Sequence, residues 1–228
     1  RSAMWTSADG VTWQRVFEGD RYEEVADVVA WDGRYFAVGT QGYWWYDSGL
    51  DEPPFRALVW VSEDGLSWER LPDSTREDQP GVSLGGWPDV QSRLWMLLAD
   101  ESGLMALGDT INTGFNPRTW HSTDGRTWQM GTGQFLGYYQ GTYASRPGLT
   151  GLNLFTDLIA ADGRLLASHG SGEIWGSADG TAFWHLVATF EPDDAALSAG
   201  GEEIRTLAAS AAERINALLH VGGSVLAF

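Results

Sequence analysis

Glycosidic bond cleavage needs two carboxyl groups about 5 to 10 Å apart, one to deliver a proton and one to act as nucleophile or base. Asp47, Asp51 and Glu52 crowd one stretch of this chain, with Arg56 just after them and Arg118 further on. The carboxylates are the residue type that a sugar-cleaving site needs, and Arg56 and Arg118 could reach the same face. Spacing along the chain leaves their separation in space open, so no residue is assigned a catalytic role.

Aromatic residues form a second constellation. Tyr43, Trp44, Trp45 and Tyr46 are consecutive, Tyr138, Tyr139 and Tyr143 form another group, and Trp87 stands in a third stretch. A ring with a polar edge offers a rigid apolar plane and a hydrogen bond together, which suits a sugar face or a protein partner. With Arg56 and Arg118 they are the candidate ligand or partner surface. The alternative is that they fold over one another and cap the domain.

Other groups carry less. His121, His169, His185 and His220 have no metal-ligand spacing and read as ordinary strand residues. Acidic runs at 47–52 and 191–194 match no calcium-loop spacing and read as solvated acids, so neither metal nor cofactor is expected. Asp27 and Asp157 occupy one equivalent position in two similar stretches, and a repeated residue reads as structural. There is no Cys, which removes disulfides, thiolate metal sites and Cys nucleophiles. A formal charge of −17, with every basic residue an Arg, repels nucleic acid and anionic membrane surfaces. No apolar run is long enough for a membrane span, and no export signal is present. The chain opens at Arg1, which reads as a processed or excised piece.

The elements that must position these groups follow from a repeat. Trp-x-Ser-x-Asp-Gly-x-Thr-Trp occurs at 5–13, 60–68, 120–128 and 175–183, with Ser67 and Ala182 in place of Thr and Phe183 in place of the last Trp, followed by Trp184. The serines Ser7, Ser62, Ser122 and Ser177 are 55, 60 and 55 residues apart, a period that signals a repeat architecture. Asp-Gly between Trp- and Val-rich runs predicts a tight hairpin, in which the carboxylate accepts amides of its own turn. The turn residues Asp9, Gly10, Asp64, Gly65, Asp124, Gly125, Asp179 and Gly180 are thus expected to serve stability, with Trp13, Trp68, Trp128 and Phe183 as anchors.

The motif resembles the Asp-box, or bacterial neuraminidase repeat, of β-propellers as different as sialidases and sortilin-type receptors. In that family the box is a folding element away from the active site, so the resemblance implies an all-β propeller and not an activity. It also implies a bacterial protein, secreted or at the cell surface. Sialidases of this kind carry an Arg-Ile-Pro motif, three arginines and a Tyr nucleophile. Asn116-Pro117-Arg118 and Pro54-Phe55-Arg56 do not match that motif.

A second hairpin precedes three of the boxes, turning at Asp32-Gly33, through 100–103 and at Asp162-Gly163. Two hairpins per period predict blades of four antiparallel strands, called A to D, with A and B buried on both faces. One domain over 1–228 is expected, with blades at 22–72, 90–132 and 153–188. A fourth would be shared by 203–228 and 1–18, closing a ring of four; part of a larger ring is the alternative. Residues 204–218 have helical periodicity, yet the repeat phase predicts a hairpin there, turning near 211–214. The A–B and C–D turns are short, whereas the other end of every blade carries the long connections 41–58, 72–92, 132–153 and 188–201. Function is expected at that end. The leading expectation is a non-enzymatic module, or part of a larger assembly, that binds a protein or glycan partner. A sialidase-like or other glycoside hydrolase is second.

Overall fold

The computed structural model describes residues 2–42, 56–71, 92–110, 116–131, 155–169, 173–181, 183–189, 218–221 and 224–227, all in strands, turns and short connections. The chain forms two compact units, Arg1–Gly131 and Thr132–Phe228. The fold is an all-β propeller type, with blades of four antiparallel strands.

The first unit holds β1 (Ala3–Thr6), β2 (Gln14–Glu18), β3 (Glu23–Trp31), β4 (Arg34–Gln41), β5 (Arg56–Ser62), β6 (Glu69–Arg70), β7 (Ser92–Asp100), β8 (Gly103–Thr110), β9 (Asn116–Ser122) and β10 (Gln129–Met130). One blade runs β3-β4-β5-β6 and the next β7-β8-β9-β10, while β1 and β2 form a two-stranded sheet. The second unit holds β11 (Phe155–Ala161), β12 (Arg164–His169), β13 (Glu173–Ser177), β14 (His185–Thr189), β15 (Leu218–Val221) and β16 (Ser224–Ala227). Its blade runs β11-β12-β13-β14, and β15 and β16 pair separately.

Turn chemistry explains the hairpins. Asp32 and Gly33 have φ of 48° and 71°, and Asp162 and Gly163 of 51° and 73°, so both central residues are left-handed, as a two-residue turn between twisted strands requires. Between β7 and β8 the Asp100 carboxylate instead accepts the backbone N–H of Ser102 at 2.7 Å and its hydroxyl at 2.6 Å. Each Trp-x-Ser-x-Asp-Gly repeat turns in one way. Gly10 donates its N–H to the Ser7 hydroxyl at 2.8 Å, while Asp9 Oδ1 accepts Val11 at 2.8 Å and Thr12 at 2.7 Å. The same bonds recur around Asp64 and Asp124. At Asp179 the bonds of Gly180 and Thr181 repeat the pattern.

A bulge marks each inner strand, between Val25 and Asp27, Leu94 and Met96, and Phe155 and Asp157. The bulge drives the inner carbonyl toward the neighbouring strand. A Cβ at Gly39 would overlap the carbonyl oxygen of Glu24, and one at Gly108 that of Arg93, so glycine is needed at both. The core of the first unit joins Phe36, Val38, Val59 and Val61 of one blade to Leu94, Leu97, Ala106 and Trp120 of the next.

Four expectations need correction. β3 is not buried on both faces: Val28 is exposed, because its outer face meets a groove and not another inner strand. The first Trp of the repeat is buried at Trp60, Trp120 and Trp175, but Trp5 is 55% exposed and Trp13 is exposed with it. In the last repeat Phe183 is exposed and Trp184 is buried, because β14 is offset by one residue from the turn onward: Gly176 pairs with His185, where Val61 pairs with Glu69 and His121 with Gln129. The terminal hairpin turns between Val221 and Ser224, not near 211–214, and the sequence Gly222-Gly223 there is itself a hairpin signal. The helix-like stretch 204–217 lies outside the described residues.

Candidate functional site

Buried polar side chains concentrate at one end of the blades. Apart from Thr119 and the turn serines Ser62, Ser122 and Ser177, the buried polar residues among those described are Glu23, Thr40, Ser92, Arg93, Asp109, Thr110, Ser168 and His169. Each lies where an inner strand begins or its partner ends, next to the long connections. The repeat turns occupy the opposite end of the strands.

In the first unit Glu23 opens β3, and its carboxylate takes a guanidinium N–H of Arg70 at 2.5 Å and the backbone N–H of Asp20 at 3.1 Å. One blade on, Arg93 donates Nε to Asp109 Oδ1 at 2.9 Å and Nη2 to Oδ2, a bidentate pair sealed from water. The Arg93 guanidinium also lies 5.2 Å from the Trp95 ring centroid. Burial raises the Asp109 carboxyl above its ordinary range, and Arg93 opposes that shift.

Arg118, in β9 across from Gly108, differs from these. It is half-buried, and burial lowers its pKa, yet no carboxylate pairs with it among the described residues. Arg56 opens β5 opposite Gln41 and is exposed.

In the second unit His169 stands where the other blades have Gly39 and Gly108. It is fully buried, edge-on to Phe155 at 5.1 Å, and desolvation lowers its pKa to about 4, so it is neutral at neutral pH. Glu173 accepts the indole N–H of Trp175 at 3.2 Å and lies 3.9 Å from His169 Nδ1. Thr156 and Ser168 share a hydroxyl hydrogen bond of 2.8 Å.

Of the residues singled out from sequence, Arg56 and Arg118 are at this end. Tyr43, Trp44, Trp45, Tyr46, Trp87, Tyr138, Tyr139, Tyr143, Asp47, Asp51 and Glu52 lie outside the described residues. Asp27 and Asp157 occupy the bulges. The pair Arg93–Asp109 and the buried His169 were not singled out. The signal for the pair was available: a bulge shifts the count back from the turn by one and sets Arg93 opposite Asp109.

No protein-family model and no curated protein sequence matches the chain. Solved structures with a similar arrangement include a mutant Trypanosoma rangeli sialidase displaying trans-sialidase activity, at 12% identity and a TM-score of 0.48, covering 81% of this chain and 32% of that one. A glycosyl hydrolase from Bacteroides ovatus shows 14% identity and a TM-score of 0.42, covering 76% and 49%. The Bombyx mori GH32 β-fructofuranosidase shows 14% identity and a TM-score of 0.41, covering 90% and 40%. The chain thus spans half or less of the length of each.

Proposed function

We propose that this chain is a glycan-binding β-propeller that receives an acidic sugar at the long-connection end of its blades, with Arg118 as the anion-binding group. The observation that carries the reading is the desolvation of Arg118 without a counter-charge among the described residues, in a chain of net charge −17 where carboxylates are in excess. A half-buried guanidinium is costly to leave unpaired, and a ligand carboxylate would supply the bidentate partner it lacks. The aromatic residues of the neighbouring long connections, Tyr43 to Tyr46 and Tyr138, Tyr139 and Tyr143, supply planes suited to sugar rings. Binding without cleavage is favoured because Glu23 and Asp109 are each already held by an arginine. Such a ligand places the protein outside the cell or at its surface, and the four repeat turns serve as its folding elements, in the manner of the Asp-box.

One observation favours a second reading, glycoside hydrolysis at the same end. Asp47, Asp51 and Glu52 stand close together in the sequence just before Arg56, carboxylates of the kind that such chemistry needs in pairs. Calorimetric titration with acidic and neutral oligosaccharides tests the first reading. Acidic ligands should bind and Arg118→Ala should lose that binding; equal affinity for both classes, or none, overturns it. Turnover of a glycoside panel, abolished by Asp47→Asn or Glu52→Gln, transfers the conclusion to the hydrolase.

A further inference from the structure

Register sorts the polar residues at the long-connection end of blade β7-β8-β9-β10 onto its two faces. Ser92 pairs with Thr110, and Leu94 with Gly108, which pairs in turn with Arg118. Opposed residues share a face of the sheet, as do residues two apart on one strand. Leu94 and Trp120 belong to the core shared with blade β3-β4-β5-β6, so Ser92, Thr110 and Arg118 are on the face turned to that blade. Arg93 and Asp109 are one residue out of step and occupy the opposite face. On the facing blade Val38 and Ala57 belong to the same core, and Thr40, two residues beyond Val38, pairs with Ala57 and with Glu24.

Four groups that donate hydrogen bonds thus line one inter-blade space within the first unit. Thr40, Ser92 and Thr110 are buried, and their hydroxyls bond to no other described residue. Buried hydroxyls ordinarily find a partner, and three without one lie on the faces that also carry the half-buried Arg118. Arg118 and Thr110 are diagonal neighbours across β8 and β9, about 7 to 8 Å apart at the backbone, which a long side chain spans. Gly108, opposite Arg118, puts no side chain in the way.

We infer that the space between these two blades is a binding site for the sulfate ester of a glycan, with Arg118 and the hydroxyls of Thr40, Ser92 and Thr110 as its donors. The inference rests on the reading of Arg118 as the anion-binding group and narrows its ligand. A carboxylate lies in the plane of a guanidinium, and the fork occupies both of its oxygens. A tetrahedral ester has three free oxygens, two for the fork and one directed out of that plane, where hydroxyls carried by both blades can donate to it. Charge then selects among tetrahedral groups. Arg118 supplies one positive charge, and the exposed Glu24 stands on the same row as Thr40, so one negative charge on the ligand is matched and a second is repelled. A sulfate ester carries one; a phosphate monoester carries about 1.5 to 2 at neutral pH.

An array of sulfated, phosphorylated, carboxylated and neutral oligosaccharides tests this, followed by calorimetry with the acidic glycan retained best. Sulfated glycans should be retained above the rest. Thr40→Val and Thr110→Val, which exchange a hydroxyl for a methyl of the same size, should each weaken that binding about tenfold or more with the far-ultraviolet dichroism unchanged. Glu24→Gln should bring phosphorylated glycans closer to sulfated ones. If carboxylated or phosphorylated glycans bind the unaltered protein as tightly as sulfated ones, or if both valine variants bind like the parent, the sulfate site is overturned; loss of binding in Arg118→Ala would still keep Arg118 as the anion-binding group. If Arg118→Ala binds like the parent, or no acidic glycan is retained, both readings fall together.

Discussion

The carboxylate of Asp27 accepts the backbone N–H of Leu97, on the next blade, at 2.9 Å, while its other oxygen accepts the N–H of Val28 at 2.7 Å. Asp157 repeats the arrangement with Leu218 at 2.7 Å and Leu158 at 2.8 Å. Val28, Leu97 and Leu158 each follow the bulge of their strand, and a bulge leaves an amide out of the ladder. Met96 stands where Asp would be on β7, and that strand's amide is the one Asp27 reaches across to hold. An Asp on one inner strand thus satisfies that strand and the next, so alternate blades can do without one.

Asp27→Ala should therefore leave two amides without an acceptor, at about 1 to 3 kcal/mol for each that water cannot reach. Asp27→Asn, which keeps only one acceptor oxygen, should fall between Ala and the parent. Thermal denaturation of the three proteins checks this. A midpoint unchanged in Asp27→Ala would show that the contact across the blades contributes nothing.

The buried Arg93–Asp109 pair makes an asymmetric prediction. Arg93→Leu strands a carboxylate that is fully buried, and breaking such a pair costs about 3 to 5 kcal/mol. Replacing both, Arg93→Leu with Asp109→Leu, removes the uncompensated charge and should recover most of that loss. Urea denaturation of the two single variants and the double variant measures the coupling. Additive losses would mean that the pair is not a unit.

What the sequence made legible was local. Asp32-Gly33 and Asp162-Gly163 announced their hairpins because two adjacent residues that tolerate left-handed backbone leave few other turns open. The repeat likewise located β5, β9 and β13, and the equivalence of Asp27 and Asp157 was visible as a structural position. Burial was not legible, because it depends on neighbours that the motif does not encode: Trp5 and Trp60 open the same nine-residue pattern, and Trp60 is buried opposite Ala37 of β4 while Trp5 is exposed. Register failed where single residues shift it. Trp184 took the place of Phe183 in the core through one extra residue between the turn and β14, and the repeat phase put the last hairpin about ten residues too early because it ignored Gly222-Gly223. Arg93 and Asp109 escaped notice for the related reason that a bulge decides which residues face each other. Of the candidate site, the arginines were named from sequence and the buried partners around them were not.

The turn aspartates should act on stability alone. Burial raises the Asp124 carboxyl, but the backbone N–H groups of Thr127 and Arg126 outweigh it and hold the pKa below the ordinary value. Asp124→Ala removes the acceptor for both amides and should cost about 1 to 2 kcal/mol, as loss of a capping carboxylate does elsewhere. Oligosaccharide binding by the folded variant should be unchanged. A variant as stable as its parent that had lost binding would move Asp124 into the functional site.

His169 should make stability depend on pH. Desolvation lowers its pKa from 6.5 to about 4 in the folded chain, whereas the unfolded chain exposes an ordinary imidazole. Between these values the unfolded state binds a proton that the native state refuses, so protonation favours unfolding as the pH falls. The contribution is fully present above about pH 6.5, declines from there to about pH 4, and levels off once the native imidazole is also protonated. Complete loss is on the order of 3 kcal/mol. His169→Leu keeps an apolar neighbour for Phe155 and removes the titration, so the stability difference between parent and variant should shift in favour of the variant across that window. Glu173, 3.9 Å from Nδ1, pulls the other way by favouring the charged imidazole. Denaturant titrations of both proteins at closely spaced pH values separate the two influences: a parent that gains on the variant as the solution is acidified would show that Glu173, and not burial, governs His169.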